Sequence, residues 1–161
     1  MIELDRIDRR ILATLQDDNR LTNLELARRV GVSPPVCLRR VRRLRDAKVI
    51  EGDVSLINPE AFGPRTTVIA QVKLVRGTSD VVQGFKRAML DRPEVTQCYL
   101  VTGPSDFVII IQVADVAEYE RFLEGALYRN PHVDSIASSV VVNRVKFRPA
   151  ALRVETGSDH P

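Results

Sequence analysis

The sequence contains no tryptophan and only two cysteines and two histidines among its 161 residues. So few cysteines exclude a small disulfide-stabilised secreted scaffold, and we interpret Cys37 and Cys98 as buried, reduced thiols because each lies in an apolar pattern. Neither His132 nor His160 stands at a metal-ligand spacing from a cysteine. We therefore expect neither a metal site nor a cofactor.

Long hydrophobic runs are also missing. The longest uninterrupted apolar stretch, Phe107–Ile111, is far shorter than the roughly 20 residues that span a bilayer. The N-terminal residues MIELDRIDRR are charged and contain no apolar signal-peptide core. These absences predict a protein that does not associate with membranes and resides in the cytoplasm.

Positive charge is present but unevenly distributed. Residues 1–50 contain 12 Lys and Arg against 7 Asp and Glu, a net charge of +5, whereas residues 51–161 contain 12 against 14, a net charge of −2. The whole chain is 44% hydrophobic and 28% charged, which is typical of a folded globular protein. The uneven charge predicts that the N-terminal third contacts a polyanion.

Short helices are predicted throughout this basic third. Apolar residues recur at helical spacing over residues 4–17, which predicts an amphipathic first helix. Thr22 and Glu25 have the spacing of a capping box, and Gly31 is a typical stop signal, so a short second helix lies between them. A third helix is predicted over residues 34–47, with serine and proline at its start.

A short helix, a tight turn and an arginine-rich helix together are typical of a helix-turn-helix that enters the DNA major groove. Turning the third helix by about 100° per residue places Arg39 and Arg43 opposite its apolar arc, with Arg40 and Arg42 on the flanks. Guanidinium groups bind phosphates and read guanine edges, although an arginine-rich face can also be merely solvated. The candidate DNA-binding residues are Ser33, Pro35, Val36, Arg39, Arg40, Arg42 and Arg43.

The segment after the third helix alternates loosely over residues 50–57 and predicts a strand that serves as a small wing. Proline and glycine then mark a hinge, and we place the domain boundary near Gly63. The predicted domains are residues 1–63 for DNA binding and residues 64–150 for a second domain, followed by a flexible tail over residues 151–161.

The second domain reads as β-α-β-β-α-β, the ferredoxin-like plan within an α+β protein. The predicted elements are strand 66–75, a helix ending near residue 91, strand 95–102, strand 107–113, a helix that starts near residue 116 and ends at Asn130-Pro131, and strand 133–146. Both helices cover one sheet face, and Phe107–Ile111 is apolar at every position. We therefore predict a homodimer in which a second copy of the sheet covers the other face.

The chain also strongly resembles the leucine-responsive regulatory protein/AsnC family, the feast/famine regulators. The N-terminal resemblance lies in LDRIDRRILATLQDDNRLTNLELARRVGVSPPVCLRRVRRLRDAKVIEG. The segment VTGPSDFVI is similar to the family's hairpin motif, and VVVNRVK is similar to its last strand. This resemblance extends from Leu4 to Arg148 and implies a winged helix-turn-helix followed by a ligand-sensing domain.

The resemblance further implies dimers that assemble into larger even-numbered oligomers such as octamers, with an amino acid bound between dimers near the hairpin. An aspartate can pair with an α-ammonium group and loop amides can meet an α-carboxylate, but Gly103 and Asp106 can equally serve only to shape a turn. Carried onto this chain, the effector-binding residues are Leu100, Val101, Thr102, Gly103, Asp106 and Ser138.

We therefore expect a sequence-specific transcription regulator that binds double-stranded DNA and responds to a small molecule, an amino acid by preference. The residues alone leave two alternative functions open. One is a DNA-binding or chromosome-organising protein without a ligand response. The other is a tetrapyrrole-modifying enzyme of the same architecture, although that chemistry favours histidines around a cavity, and the sequence has few.

Overall fold

A computed structural model describes residues 2–75 and 79–147, with the backbone alone for residues 59 and 60. The chain divides into two compact units, with divisions between Leu56 and Ile57 and between Val145 and Lys146. The first division precedes the predicted boundary near Gly63. The tail predicted for residues 151–161 lies outside the described residues.

The N-terminal unit is helical, as predicted. Its helices are α1 (Arg6–Asp17), α2 (Asn23–Val30) and α3 (Pro34–Asp46). A capping box starts α1, since the Asp5 carboxylate accepts from the amide of Asp8 at 2.8 Å and the Asp8 carboxylate accepts from the amide of Asp5 at 3.2 Å. The helices enclose a small core of buried apolar residues: Ile11, Leu26, Ala27, Val30, Cys37 and Leu44.

The predicted wing strand over residues 50–57 is wrong, because the structure assigns no strand between residues 50 and 58. A strand persists only when its backbone groups pair with another strand. Among its described residues the N-terminal unit is otherwise helical, so this alternating segment has no ladder to join. Its side chains Val54 and Leu56 are 74% and 65% exposed accordingly.

The second unit has the predicted ferredoxin-like order. After a 3₁₀ turn (Pro59–Phe62), its elements are β1 (Thr66–Leu74), α4 (Ser79–Leu90), β2 (Val95–Leu100), β3 (Phe107–Val113), α5 (Val116–Phe122), which continues as a π-helix (Leu123–Tyr128), and β4 (Val133–Val140). The strands form one antiparallel sheet in the order β2-β3-β1-β4. The last strand ends at Val140, earlier than predicted.

Alternation along the strands gives the sheet two different faces. In β1, Val68, Ala70 and Val72 are fully buried, and they share one core with Phe85 and Met89 of α4 and with residues of α5. The positions between them lie on the opposite face, which we call the open face; Ile69 is partly buried there and Gln71 is exposed. The register pairs Ile69 with Ile110 on this open face. The helices therefore cover one face, as expected from the sequence.

One expectation about the cysteines is wrong. Both are free thiols, but only Cys37 is buried, whereas Cys98 is exposed. Cys98 lies on β2, which forms one edge of the sheet and pairs with β3 alone. An apolar sequence pattern does not bury a residue on an edge strand, because neighbours pack against it on one side only.

Candidate nucleic-acid interface and effector site

The turn between α2 and α3 is built from local signals. The Thr22 hydroxyl donates to the Glu25 carboxylate at 2.7 Å and accepts from the Glu25 amide at 3.3 Å, which fixes the start of α2. Gly31 ends α2 with φ of 75°, a left-handed conformation that favours glycine. The Asn23 side chain then donates to the carbonyl of Pro34 at 2.9 Å and ties the two helix starts together.

Ser33 stands at the N-cap of α3 as predicted, but its hydroxyl makes no capping hydrogen bond. An N-cap side chain accepts from the second or third helical amide; Pro35 at the second position has none, and the amide of Val36 at the third does not donate to Ser33 either. Ser33 and Pro35 are exposed, and Val36 is partly buried. The first turn of α3 therefore presents a small, uncharged surface.

The exposed side of α3 forms a shallow groove of about 650 Å³. Pro35, Arg39, Arg42 and Arg43 line it together, so the structure gathers four of the predicted DNA-binding residues on one surface. Leu38 lines the same groove and is 40% exposed, although the sequence analysis did not select it. A leucine among arginines on an otherwise polar helix face is the signal that could have identified it.

Arg40 and Arg43 are engaged with α1 and its cap. Arg40 Nη1 donates to Asp5 Oδ2 at 2.6 Å and to Asp8 Oδ1 at 2.9 Å, and Arg43 Nη2 donates to Asp8 Oδ2. Asp8 is fully buried, whereas the Arg40 side chain is 24% exposed. We call these four residues, Asp5, Asp8, Arg40 and Arg43, the acid–arginine cluster.

The cluster shifts the pKa of two of its members, Asp5 and Arg40. The amide of Asp8, followed by the guanidinium of Arg40, lowers the pKa of Asp5 below its ordinary value. Hydrogen bonds to Asp5 and then Asp8 raise the pKa of Arg40. Both effects favour the charged forms of Asp5 and Arg40, so these two residues form an ion pair under ordinary conditions.

Asp5 and Asp8 were not predicted as functional residues, and the contact of Arg43 with α1 was not predicted either. Arg43 projects from the face opposite the α3 core, but its long side chain reaches back to Asp8 on α1. The missed signal is the position of Asp8, four residues after Leu4 and three before Ile11 on the apolar stripe of α1. A carboxylate at such a position needs a partner, and arginines are the candidates in this domain.

The predicted effector hairpin lies between β2 and β3. The amide of Val101 donates to the carbonyl of Asp106 at 2.9 Å, and the amide of Asp106 donates to the carbonyl of Val72 at 3.0 Å. Asp106 Oδ2 accepts from the amide of Leu74 at 2.8 Å, so this carboxylate secures the end of β1. Gly103 has φ of 131°, which side chains disfavour.

The predicted effector residues are gathered only in part. Thr102 and Gly103 are exposed at the hairpin tip, Val101 and Asp106 are partly buried beside them, and Leu100 is 54% exposed on the helix side of β2.

Ser138 lies apart from this group. It is on β4, which β1 separates from β3, and its hydroxyl oxygen is 2.5 Å from Tyr119 Oη of α5. Burial, the larger influence, raises the pKa of Tyr119. The contact between Tyr119 and Ser138 therefore links α5 to the sheet within one chain.

Leu100 also lines a second groove, of about 350 Å³, between β2 and α4. Its apolar walls include Met89, Val95 and Phe107, and Lys86 stands at its margin. Within residues 2–75 and 79–147, no group of three His, Cys, Asp or Glu side chains could hold a metal ion. Over the same residues, no helix is both long and apolar enough to cross a membrane.

Comparisons with known proteins match both units. A family profile described as winged helix-turn-helix DNA-binding matches residues 4–51, and one described as Lrp/AsnC ligand binding domain matches residues 67–151. An uncharacterized HTH-type transcriptional regulator of Sinorhizobium fredii is 43% identical, over 90% of this chain and 86% of its own. The leucine-responsive regulatory protein of Escherichia coli is 40% identical, over 89% of this chain and 88% of its own.

A solved structure agrees with these matches. The crystal structure of a Neisseria meningitidis transcriptional regulator in complex with L-Met has a TM-score of 0.84 and 30% sequence identity, and it covers 92% of this chain and 96% of its own. The matching relatives are regulators, so the tetrapyrrole-modifying alternative falls away. This chain belongs to the Lrp/AsnC family of transcription regulators, with a DNA-binding helix-turn-helix and a ligand-binding domain, and it is not an enzyme.

Proposed function

We propose that the protein reads a specific DNA sequence through the exposed side of α3, with Arg39 and Arg42 in contact with base edges. The observation that carries this proposal is that both side chains are exposed on one groove. In the part of the chain that the structure describes, neither has an acidic partner. A free guanidinium can form the bidentate contact with guanine O6 and N7.

The other predicted DNA-binding residues surround these two. The start of α3 carries Ser33, Pro35 and Val36. Their small side chains would allow the helix to approach the major groove of DNA closely. Arg40 and Arg43 lie beside this surface, where carboxylates bind both of them in the free protein and offset their positive charge. Because DNA is the target, we also propose that the protein works in the cytoplasm.

The DNA-binding proposal is tested with Arg42→Ala on two duplexes, one selected from a random library by the wild-type protein and one of random sequence. If Arg42 reads a base, affinity for the selected duplex falls by about 1–3 kcal/mol while affinity for the random duplex changes little. Arg121→Ala, on α5 of the other unit, serves as the control. Equal losses on both duplexes would assign Arg42 to phosphate contact alone.

We further propose that the hairpin between β2 and β3 binds an amino acid. Asp106 Oδ1 has no protein donor among the described residues, so it can accept from an α-ammonium group while Oδ2 secures the end of β1. Amides at Thr102 and Gly103 can meet the α-carboxylate. The match to a ligand-binding domain and the L-Met complex of the Neisseria relative support this choice of ligand class.

The position of Ser138 indicates which chain could supply it to the proposed amino-acid site. Because β1 lies between the hairpin strand and β4, Ser138 of one chain does not adjoin its own hairpin in the sheet. We therefore propose that the effector lies where copies of the protein meet, with Ser138 supplied by a second chain. A ligand bound there alters assembly only if it binds one assembly state more tightly than another.

The effector proposal is tested by thermal-shift screening of the twenty common amino acids, followed by calorimetry. A ligand at 100 times its Kd stabilises the folded state by about 2.7 kcal/mol. Asp106→Asn is the informative variant, since its amide oxygen still accepts from Leu74 while the negative charge is lost. We expect it to abolish the shift, and Asp134→Asn on β4 to retain it.

Unchanged affinity in Asp106→Asn would remove Asp106 from the site. Stabilisation by none of the amino acids would favour the regulator without a ligand response.

The third part of the proposal concerns the oligomeric state of the protein. The open face of the sheet carries Ile69, Val108 and Ile110, each partly buried in the single chain. We propose that two copies pack these faces together as a homodimer, and that dimers assemble into a larger even-numbered oligomer such as an octamer. Such a dimer would bind a pseudo-palindromic site with half-sites roughly 34–36 Å apart or multiples of that spacing.

A further inference from the structure

The acid–arginine cluster holds its two arginines in different ways. Arg40 bridges Asp5 at 2.6 Å and Asp8 at 2.9 Å, whereas Arg43 reaches Asp8 alone. The Arg43 side chain is 47% exposed and the Arg40 side chain 24% exposed. If the charge of Asp8 were removed, Asp5 would still retain Arg40, and Arg43 would be released.

A released Arg43 would join the surface that faces DNA. It already lines the groove of α3 together with Arg39 and Arg42. Phosphates present the same charge in every sequence, so each additional phosphate contact strengthens binding to all DNA and steepens its salt dependence. Base contacts would gain nothing from this charge, and the preference for a specific sequence would fall.

We propose that Asp8 is a positioning residue that keeps Arg43 away from DNA phosphates and thereby limits sequence-independent binding by α3. The carboxylate is buried in the core of the N-terminal unit and does not itself touch DNA. It acts through the arginine that it holds. This inference rests on the DNA-binding surface proposed above.

The test compares full-length wild type with Asp8→Asn on the selected and the random duplex over a series of salt concentrations. Asn keeps the size of Asp and removes its charge. We expect the slope of log affinity against log salt to steepen by roughly 0.9, the value for one added phosphate contact. The ratio of selected to random affinity should fall at the same time.

A purely structural role for Asp8 predicts a different result. Looser packing of α1 against α3 would weaken binding to both duplexes in parallel, and an unchanged salt slope with such losses would overturn the proposal. Asp18→Asn is the matched control, because it makes the same charge change and breaks an exposed pair with Arg20 away from α3. An equal steepening of the salt slope in Asp8→Asn and Asp18→Asn would show that only the net charge of the protein matters. That result would also overturn the proposal.

Arg43→Gln supplies an independent arm if Asp8→Asn does not fold. Since Arg43 is held by Asp8 in the wild type, we expect Arg43→Gln alone to keep the wild-type salt slope, and Asp8→Asn/Arg43→Gln to return to it. A shallower slope for Arg43→Gln alone would show that Arg43 already contacts phosphate, which overturns the proposal. A wild type without preference between the duplexes would instead contradict base reading by α3, while the slopes would still test Asp8.

Discussion

Burial of a carboxylate is costly unless its oxygens find hydrogen-bond donors. Asp8 is fully buried, and its oxygens accept from Arg40, from Arg43 and from the amide of Asp5. These hydrogen bonds offset the loss of hydration of the Asp8 carboxylate. The negative charge of Asp8 also neutralises part of the positive charge of α3. Removing one partner of such a buried pair is expected to destabilise more than removing an exposed pair.

The two cysteines give a prediction at the same scale. Cys37 is fully buried and Cys98 is exposed, so a thiol reagent should modify Cys98 in the folded protein and Cys37 only after unfolding. Loss of hydration raises the pKa of both thiols, because the atoms packed around one side of the exposed Cys98 also displace water, and the charge of Lys86 partly offsets this effect for Cys98. Because the thiolate is the reactive form, labelling of Cys98 should be slow near neutral pH and accelerate as the pH rises.

Mass spectrometry of native and denatured samples measures both rates, with Cys98→Ser as the control that should stay unlabelled when native. Modification of Cys37 in the native protein as fast as Cys98 would contradict the burial of the α3 core.

At the scale of elements, α2 and α3 are short helices whose ends are fixed by side chains. A helix of this length has little stability of its own, so capping and packing decide whether it forms. Thr22 and Glu25 satisfy the start of α2, Gly31 ends it, and Asn23 ties it to Pro34 at the beginning of α3. The orientation of the exposed side of α3 therefore depends on a few polar contacts at helix ends.

Thr22→Ala should lower the free energy of unfolding by about 1 kcal/mol, the usual effect of losing an N-cap side chain. The hydroxyl both donates to and accepts from Glu25, and alanine can do neither. Thr22→Ser keeps the hydroxyl and should restore most of the loss. Chemical denaturation of the three proteins measures the difference, and equal midpoints for Thr22→Ala and wild type would contradict a stabilising role for this cap.

At the scale of the whole molecule, the sheet of the second unit has one face that needs a further layer. The sheet is covered by helices on one face, and its open face carries apolar side chains that no second layer covers among the described residues of this unit. A sheet with one partly apolar uncovered face commonly packs on another sheet. The dimer proposed above supplies that layer.

Ile110→Glu tests this arrangement. Ile110 pairs with Ile69 on the open face and is only partly buried in the single chain, so the substitution should allow folding but place charge between two sheets. We expect the dimer to dissociate into monomers in sedimentation at micromolar concentration. Val116→Glu, at an exposed apolar residue of α5, should keep the wild-type mass. An intact dimer in Ile110→Glu would exclude the open face as the interface.

Interactions between near neighbours in sequence determined most of what could be predicted. Helical and alternating periodicities, the Thr22–Glu25 capping box and Gly31 specify the helix-turn-helix and the order of strands, because these signals act within one turn or one strand pair. Family resemblance then led to the prediction that the hairpin is the effector region. The match to both family profiles confirms the fold and the regulatory class.

Contacts between distant residues were decided only by the tertiary structure. Asp8 and Arg43 are 35 residues apart, and Asp106 and Leu74 are 32 apart, so no local pattern relates their charges or amides. The strand predicted over residues 50–57 is absent for the same reason, since a strand needs a partner whose presence local sequence does not encode. Periodicity shows which face of an element is apolar, but packing decides what each long polar side chain reaches from it.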